Sequence, residues 1–207
     1  MSCNRKAIRR AVETAEEGGV QVVPVALLGH KGDLGFMAVG PDLWRLRRLQ
    51  SDLQAAGLRV VDSYVSLTEV SEYAVGIPEE MKQARLYPNL PPEGMSAFCF
   101  YPMSKRRGDT EESNWYRTPY EERKALMLGH GAVGRTFRGR VLQLITGSTG
   151  IDDWEWGVTL LADDPGALKD IVYEMRFDEV SARYADFGPF FTGLVLPAAD
   201  ACTRVGL

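Results

Sequence analysis

A chain of 207 residues with 45% hydrophobic and 10% aromatic side chains carries enough apolar matter for one large packed core or two small ones. Its formal net charge of −4 excludes a uniformly basic nucleic-acid binder and leaves any cationic site to be local. Cys3, Cys99 and Cys202 stand far apart without a CxxC pair, which argues against a disulfide framework or a structural zinc site, and no stretch reaches the roughly 18 apolar residues of a membrane span, so a soluble, cytoplasmic protein is expected.

In chain order, "NRKAIRRAVETAEEGG" reads as a mostly polar helix with an apolar stripe through Ile8 and Val12, stopped by Gly18 and Gly19. "VQVVPVALLG" and "LGFMAVG" read as strands joined by the turn "HKGD". "PDLWRLRRLQSDLQAAG" is a helix with Pro41 in its first turn, Asp42 after it, a stripe of Leu43, Leu46 and Leu53, and Gly57 as its stop. "LRVVDSYVSLTEVSEY" is expected to form one long strand. Residues 74–94, rich in Pro, Glu and Asn, read as a connection between an N-terminal half (1–94) and a C-terminal half (95–207).

The second half opens on the strand "MSAFCFYPM". The helix "TPYEERKALMLGHG" follows, with Thr118 as cap, Pro119 first inside and Gly131 beyond the end. "FRGRVLQLITGS" and "WEWGVTLLAD" are strands, "DPGALKDIVYEMR" a helix and "FGPFFTGLVL" a last strand. The order β-α-β-β-α-β matches the α-β-β-α-β of the first half except for an opening strand. Two ferredoxin-like α+β repeats with antiparallel sheets are therefore expected.

The octet "FYPMSKRR" sets Tyr101 at the end of an apolar run with Lys105, Arg106 and Arg107 just behind it. An ordinary strand aromatic followed by a solvated turn would look the same. His30 lies in a turn. His130, between Gly129 and Gly131, is expected in the last turn of its helix, where an imidazolium is favoured and a capping role is open. The other reading is a metal ligand: the glycines admit a flat group, and one unaccompanied His is a poor zinc site but suffices for haem iron. Gln143 interrupts "VLQLIT", so its amide either pairs with backbone or faces a cavity with a polar guest. Arg85, beside Leu86 and Tyr87, is either a snorkelling surface cation or an anion clamp.

Taken together, "RLYPNLP", "CFYPMSKRR", "NWY", "PYEERKALMLGHGAVGR", "ITGSTGIDDWEWGVTL" and "YEMRFDEVSARYADFGPF" closely resemble the chlorite dismutase family, and more narrowly its HemQ branch, the coproheme decarboxylases. "GHKGDLGFMAVGPDL" and "SYVSLTEVSEY" are similar to the family's N-terminal half. The resemblance implies a dimeric α+β barrel, conversion of iron coproporphyrin III to haem b by two hydrogen peroxide-dependent decarboxylations, a homopentamer, and transient contact with coproporphyrin ferrochelatase. It implies His130 as proximal iron ligand, Tyr101 as the redox-active phenol, and Arg85, Lys105 and Ser181 as propionate contacts. Gln143 falls at the distal position, where chlorite-decomposing members carry arginine. Family members begin with a further strand, which is missing here. The alternatives are a haem carrier or sensor, which needs no redox-active phenol, and a chlorite-decomposing or peroxidatic haem protein, disfavoured by Gln143.

Overall fold

The structure, a computed structural model, describes residues 3–74 and 76–207. Met1, Ser2 and Val75, inside the stretches read as the basic start and the connection, lie outside the described residues. The chain packs as two compact α+β units, one of residues 1–63, 89–98 and 191–207, the other of residues 64–88 and 99–190.

In the first unit, α1 (Arg5–Glu17) is capped by Asn4, whose side chain accepts the Ala7 N–H, and ends at Gly18. Strands β1 (Gln21–Leu27) and β2 (Leu34–Val39) pair antiparallel with Val23 opposite Met37, and β8 (Phe191–Val195) lies on the other side of β1. Helix α2 (Leu43–Ala55) starts later than its sequence implies. Asp42 is its cap, accepting the Arg45 N–H at 2.9 Å, so Pro41 stands outside and Leu43 is exposed rather than part of the stripe. The last helix, α7 (Ala198–Arg204), was not foreseen. Ile8, Val12 and Ala11 of α1, Val22 of β1, Leu49 and Leu53 of α2, and Cys202 of α7 form the apolar core of this unit.

The expected long strand at 58–73 is not formed. Only β3 (Leu67–Thr68) is strand, and Val60, Val61 and Val65 before it are exposed, so a β-prone sequence has no ladder to join. The connecting segment likewise holds a helix, α3 (Glu79–Leu86), with Glu79 and Glu80 in its first turn and Arg85 in its last, the charge order that a helix dipole favours.

In the second unit, β4 (Ala97–Lys105, from Cys99 onward), β6 (Trp156–Ala162), β5 (Val141–Gly147) and β3 follow one another across a sheet, and β7 (Ala185–Phe187) pairs with β4 through Ser104 and Asp186. Strands β5 and β6 are antiparallel with Gln143 opposite Leu160. A Cβ at Gly157 would meet Tyr64 at 2.8 Å and Phe100 at 3.1 Å, so only glycine lets these rings lie on the sheet. Helix α5 (Pro165–Met175), capped by Asp164, packs on β6, and α6 (Glu179–Tyr184) follows it.

Helix α4 (Tyr120–Arg135) differs from its sequence reading at both ends. Pro119 is the N-cap residue, while the Thr118 hydroxyl is buried and donates to the Asn114 carbonyl. The helix runs through Gly129, Gly131 and Gly134, so His130 lies within it and not at its end, and the capping reading is overturned. Each interior glycine costs about 1 kcal/mol relative to alanine, so the sequence spends helix stability to keep this surface small.

Candidate active site

Every sequence-derived site residue belongs to the second unit. On β4 the period-2 alternation places Cys99, Tyr101 and Lys105 on one face, and all three are buried. At ~3.3 Å per residue, the Tyr101 and Lys105 backbones stand about 13 Å apart along the strand. The Tyr101 ring stacks on Phe190 at 4.3 Å between centroids and meets Phe187 edge-on at 5.6 Å. Burial, reinforced by Cys99, holds its phenol protonated far above the ordinary tyrosine range. Tyr101 is therefore a neutral phenol packed among aromatic rings.

Lys105 ends the same strand with its Nζ 4.9 Å from the centroid of the Trp115 ring. Burial pushes the ammonium down to about 8, against the opposing pull of Asp178 and Glu155. Glu155, itself buried, holds this strand end in place: its Oε2 accepts the Lys105 backbone N–H at 2.8 Å and its Oε1 accepts from Arg107 Nη2 at 2.5 Å. The Arg107 guanidinium lies over the Tyr116 ring at 5.1 Å. Of the three cations in the octet, Arg106 is spent on Asp186 and the Arg183 carbonyl, so Lys105 is the buried one.

His130 projects from α4 toward α6, where its Nδ1 lies 2.7 Å from Asp178 Oδ2. Asp178 is the cap of α6 and also accepts the Ser181 backbone N–H and hydroxyl, each at 3.0 Å. Burial alone would raise the Asp178 carboxyl, but the hydrogen bonds from His130 and Ser181 outweigh it and leave it below the usual carboxylate range. Burial likewise lowers His130, with the Lys105 charge adding to it and Asp178 opposing. A neutral imidazole with Nδ1–H donated to a carboxylate presents its Nε2 lone pair, the form a metal ligand needs.

The structure thus brings His130, Ser181 and Lys105 into one electrostatic neighbourhood around Asp178. Gln143 reaches the same helix by another route, its Nε2 donating to the Gly134 carbonyl at 3.3 Å, one turn beyond His130. A Cβ at Gly134 would stand 3.1 Å from that nitrogen. Arg85 is exposed on α3, and among the described residues it has no ion-pair partner. Its neighbour Leu86 accepts from Thr68 at 2.9 Å, and Thr68 is paired with Thr146 of β5, which ties α3 to the strand that bears Gln143.

The donor set fits a haem-type group. None of the described residues of α4 is buried, although the helix has 16 residues, and an added Cβ at Gly129 would meet nothing within 4 Å. Among the described residues no three His, Cys, Asp or Glu side chains gather as a metal cluster, so His130 offers a single protein ligand. A buried ammonium and a buried phenol on one face of β4 suit a large anionic ring.

A family model described as chlorite dismutase matches residues 4–196. The chain belongs to the chlorite dismutase family. It is 47% identical over 183 residues to a coproheme decarboxylase of Staphylococcus carnosus, covering 83% of this chain and 71% of that one. A solved haem-binding protein of Thermus thermophilus superposes with a TM-score of 0.87 at 41% identity, covering 98% of this chain and 83% of that one. A chlorite dismutase variant of Candidatus Nitrospira defluvii shares the fold, with a TM-score of 0.75 at 21% identity over 98% of this chain and 85% of that one.

Within this chlorite dismutase family chain, sequence reasoning missed Asp178, Glu155 and Trp115. Asp178 carries a signal in "DEVS", an acid three residues before Ser181 that marks a helix cap. Glu155 lies between two tryptophans, and only the fold shows that its carboxylate is buried beside Lys105.

Proposed function

We propose that this chain is a coproheme decarboxylase, converting iron coproporphyrin III to haem b by two hydrogen peroxide-dependent oxidative decarboxylations. The observation that carries the reading is the buried Tyr101 phenol on the same strand face as the buried Lys105 ammonium, beside a His130 imidazole oriented by Asp178. The substrate, with hydrogen peroxide, supplies the oxidising equivalents and the propionates. His130 holds the iron through Nε2, and Asp178 keeps Nδ1 protonated. Tyr101 gives up an electron and its proton, then takes a hydrogen atom from the propionate β-carbon. Loss of carbon dioxide and one more electron leaves a vinyl group. Each carboxylate lost as carbon dioxide delivers two electrons and one proton, and one hydrogen peroxide takes up the electrons, that proton and one more from solvent to become two waters.

Lys105 holds the reacting carboxylate by a charge-assisted hydrogen bond, and Arg85 and Ser181 contact other propionates. Arg85 is suited to this because its guanidinium is not consumed by an ion pair among the described residues. Gln143 supplies a neutral amide, which favours slow peroxide activation over chlorite chemistry. We also place the protein in the cytoplasm as a homopentamer in transient contact with coproporphyrin ferrochelatase. No helix among the described residues is long and apolar enough to cross a membrane, and exposed Trp44 and Phe177 supply apolar surface for subunit contacts. Mixing the protein with iron coproporphyrin III and titrating with peroxide tests the activity. Successive loss of two carboxyl groups from the porphyrin is the expected result, and rapid oxygen release from chlorite with no such loss would overturn it.

A further inference from the structure

Cys3 and Cys202 are separated by nearly the whole chain yet share one core. Cys202, on α7, is fully buried within the cluster formed by α1, β1, α2 and α7, and half-buried Cys3 packs against that same cluster. Cys3 immediately precedes Asn4, whose backbone N–H is fixed to the Ala56 carbonyl at 2.9 Å. Two residues on, Arg5 Nη1 donates to the hydroxyl of Thr203 at 3.3 Å, so the start of α1 is tied to the residue next to Cys202. Burial first, with Cys3 adding to it, holds the Cys202 thiol above its ordinary range, while the Arg5 cation draws it back.

We propose that Cys3 and Cys202 form a reversible disulfide in response to hydrogen peroxide. Their exposures divide the two roles. The sulfur of partly exposed Cys3, on losing its proton, attacks the peroxide O–O bond, giving a sulfenic acid and releasing hydroxide, which is protonated to water. The Cys202 thiol, which bulk oxidant does not reach, then attacks that sulfur, its proton passing to the departing hydroxide as the S–S bond forms, so that a second water leaves. Two thiols and one hydrogen peroxide give one disulfide and two waters, each sulfur losing one electron overall. Any dithiol reductant reverses the reaction. Both cysteines belong to the first unit, whereas the porphyrin chemistry belongs to the second.

The test uses the full chain without porphyrin. It is treated with graded hydrogen peroxide, then unfolded and alkylated, and its thiols are assigned by peptide mass spectrometry, with Cys3→Ser in parallel. The expected result is a Cys3–Cys202 linked peptide lighter by two hydrogens, abolished by reductant and absent from Cys3→Ser. A melting temperature several degrees higher should accompany it, because the bond closes a loop of nearly the whole chain. Over-oxidation of Cys3 with Cys202 still open to alkylation, or two unmodified thiols, would overturn the proposal.

Discussion

Asp178 decides how His130 is presented. Its Oδ2 receives the imidazole at 2.7 Å and the Ser181 hydroxyl at 3.0 Å, so Asp178→Asn breaks a charge-assisted bond while preserving shape. Removing such a partner typically costs about 10–100-fold in metal-site affinity, and spectroscopic titration with iron coproporphyrin III should show a loss of that order. Unchanged affinity and spectrum would deny Asp178 this role. Lys105 makes a separate pH prediction. Its ammonium is pushed down to about 8, so affinity for the four-carboxylate ligand should fall as pH rises through that value, and Lys105→Leu should remove the dependence. Tyr101, Lys105 and His130 were legible because a phenol, an amine and a glycine-flanked imidazole stand out in the sequence. Asp178 and Glu155 were not, because their importance lies in partners roughly 50 residues away that only the fold brings near.

Helix α4 shows what an element adds to its residues. The sequence located the helix, but its end was misjudged because Gly131 read as lying beyond it, whereas Gly129, Gly131 and Gly134 all lie inside a continuing helix. Their positions predict opposite effects. Gly129→Ala adds a methyl group into open space and should raise the melting temperature of the free protein, the gain being about 1 kcal/mol of helix propensity. Gly134→Val adds bulk on the His130 face, where Gln143 already approaches, and should weaken porphyrin binding more than about tenfold in the same assay. If both variants bound porphyrin like the parent, the ligand would not lie on this face. The long strand expected at 58–73 failed for the complementary reason: β propensity is expressed only where a neighbouring strand accepts the hydrogen bonds.

At the scale of the whole molecule, the α+β class and most element types were readable from periodicity and caps, while α3, α6, α7 and the contents of each unit were not. Short helices and chain segments that return to an earlier unit depend on long-range packing. Acid stability follows from two depressed groups. His130 and Asp178 both titrate below their ordinary values of 6.5 and 3.8, so over these windows the unfolded chain binds more protons and stability rises with pH. Melting temperatures should therefore fall as pH drops below 6.5 and again below 3.8, and His130→Gln should flatten the first of these slopes.

In the proposed mechanism Tyr101 relays oxidation to a propionate held beside it. The direct measurement loads parent and Tyr101→Phe with iron coproporphyrin III anaerobically, adds stoichiometric hydrogen peroxide and follows the porphyrin by mass spectrometry. Two carboxyl losses are expected in the parent and, in the variant, equal binding with decarboxylation slowed more than about a hundredfold. Equal turnover in both, or bleaching of the parent's porphyrin without carbon dioxide loss, would contradict it.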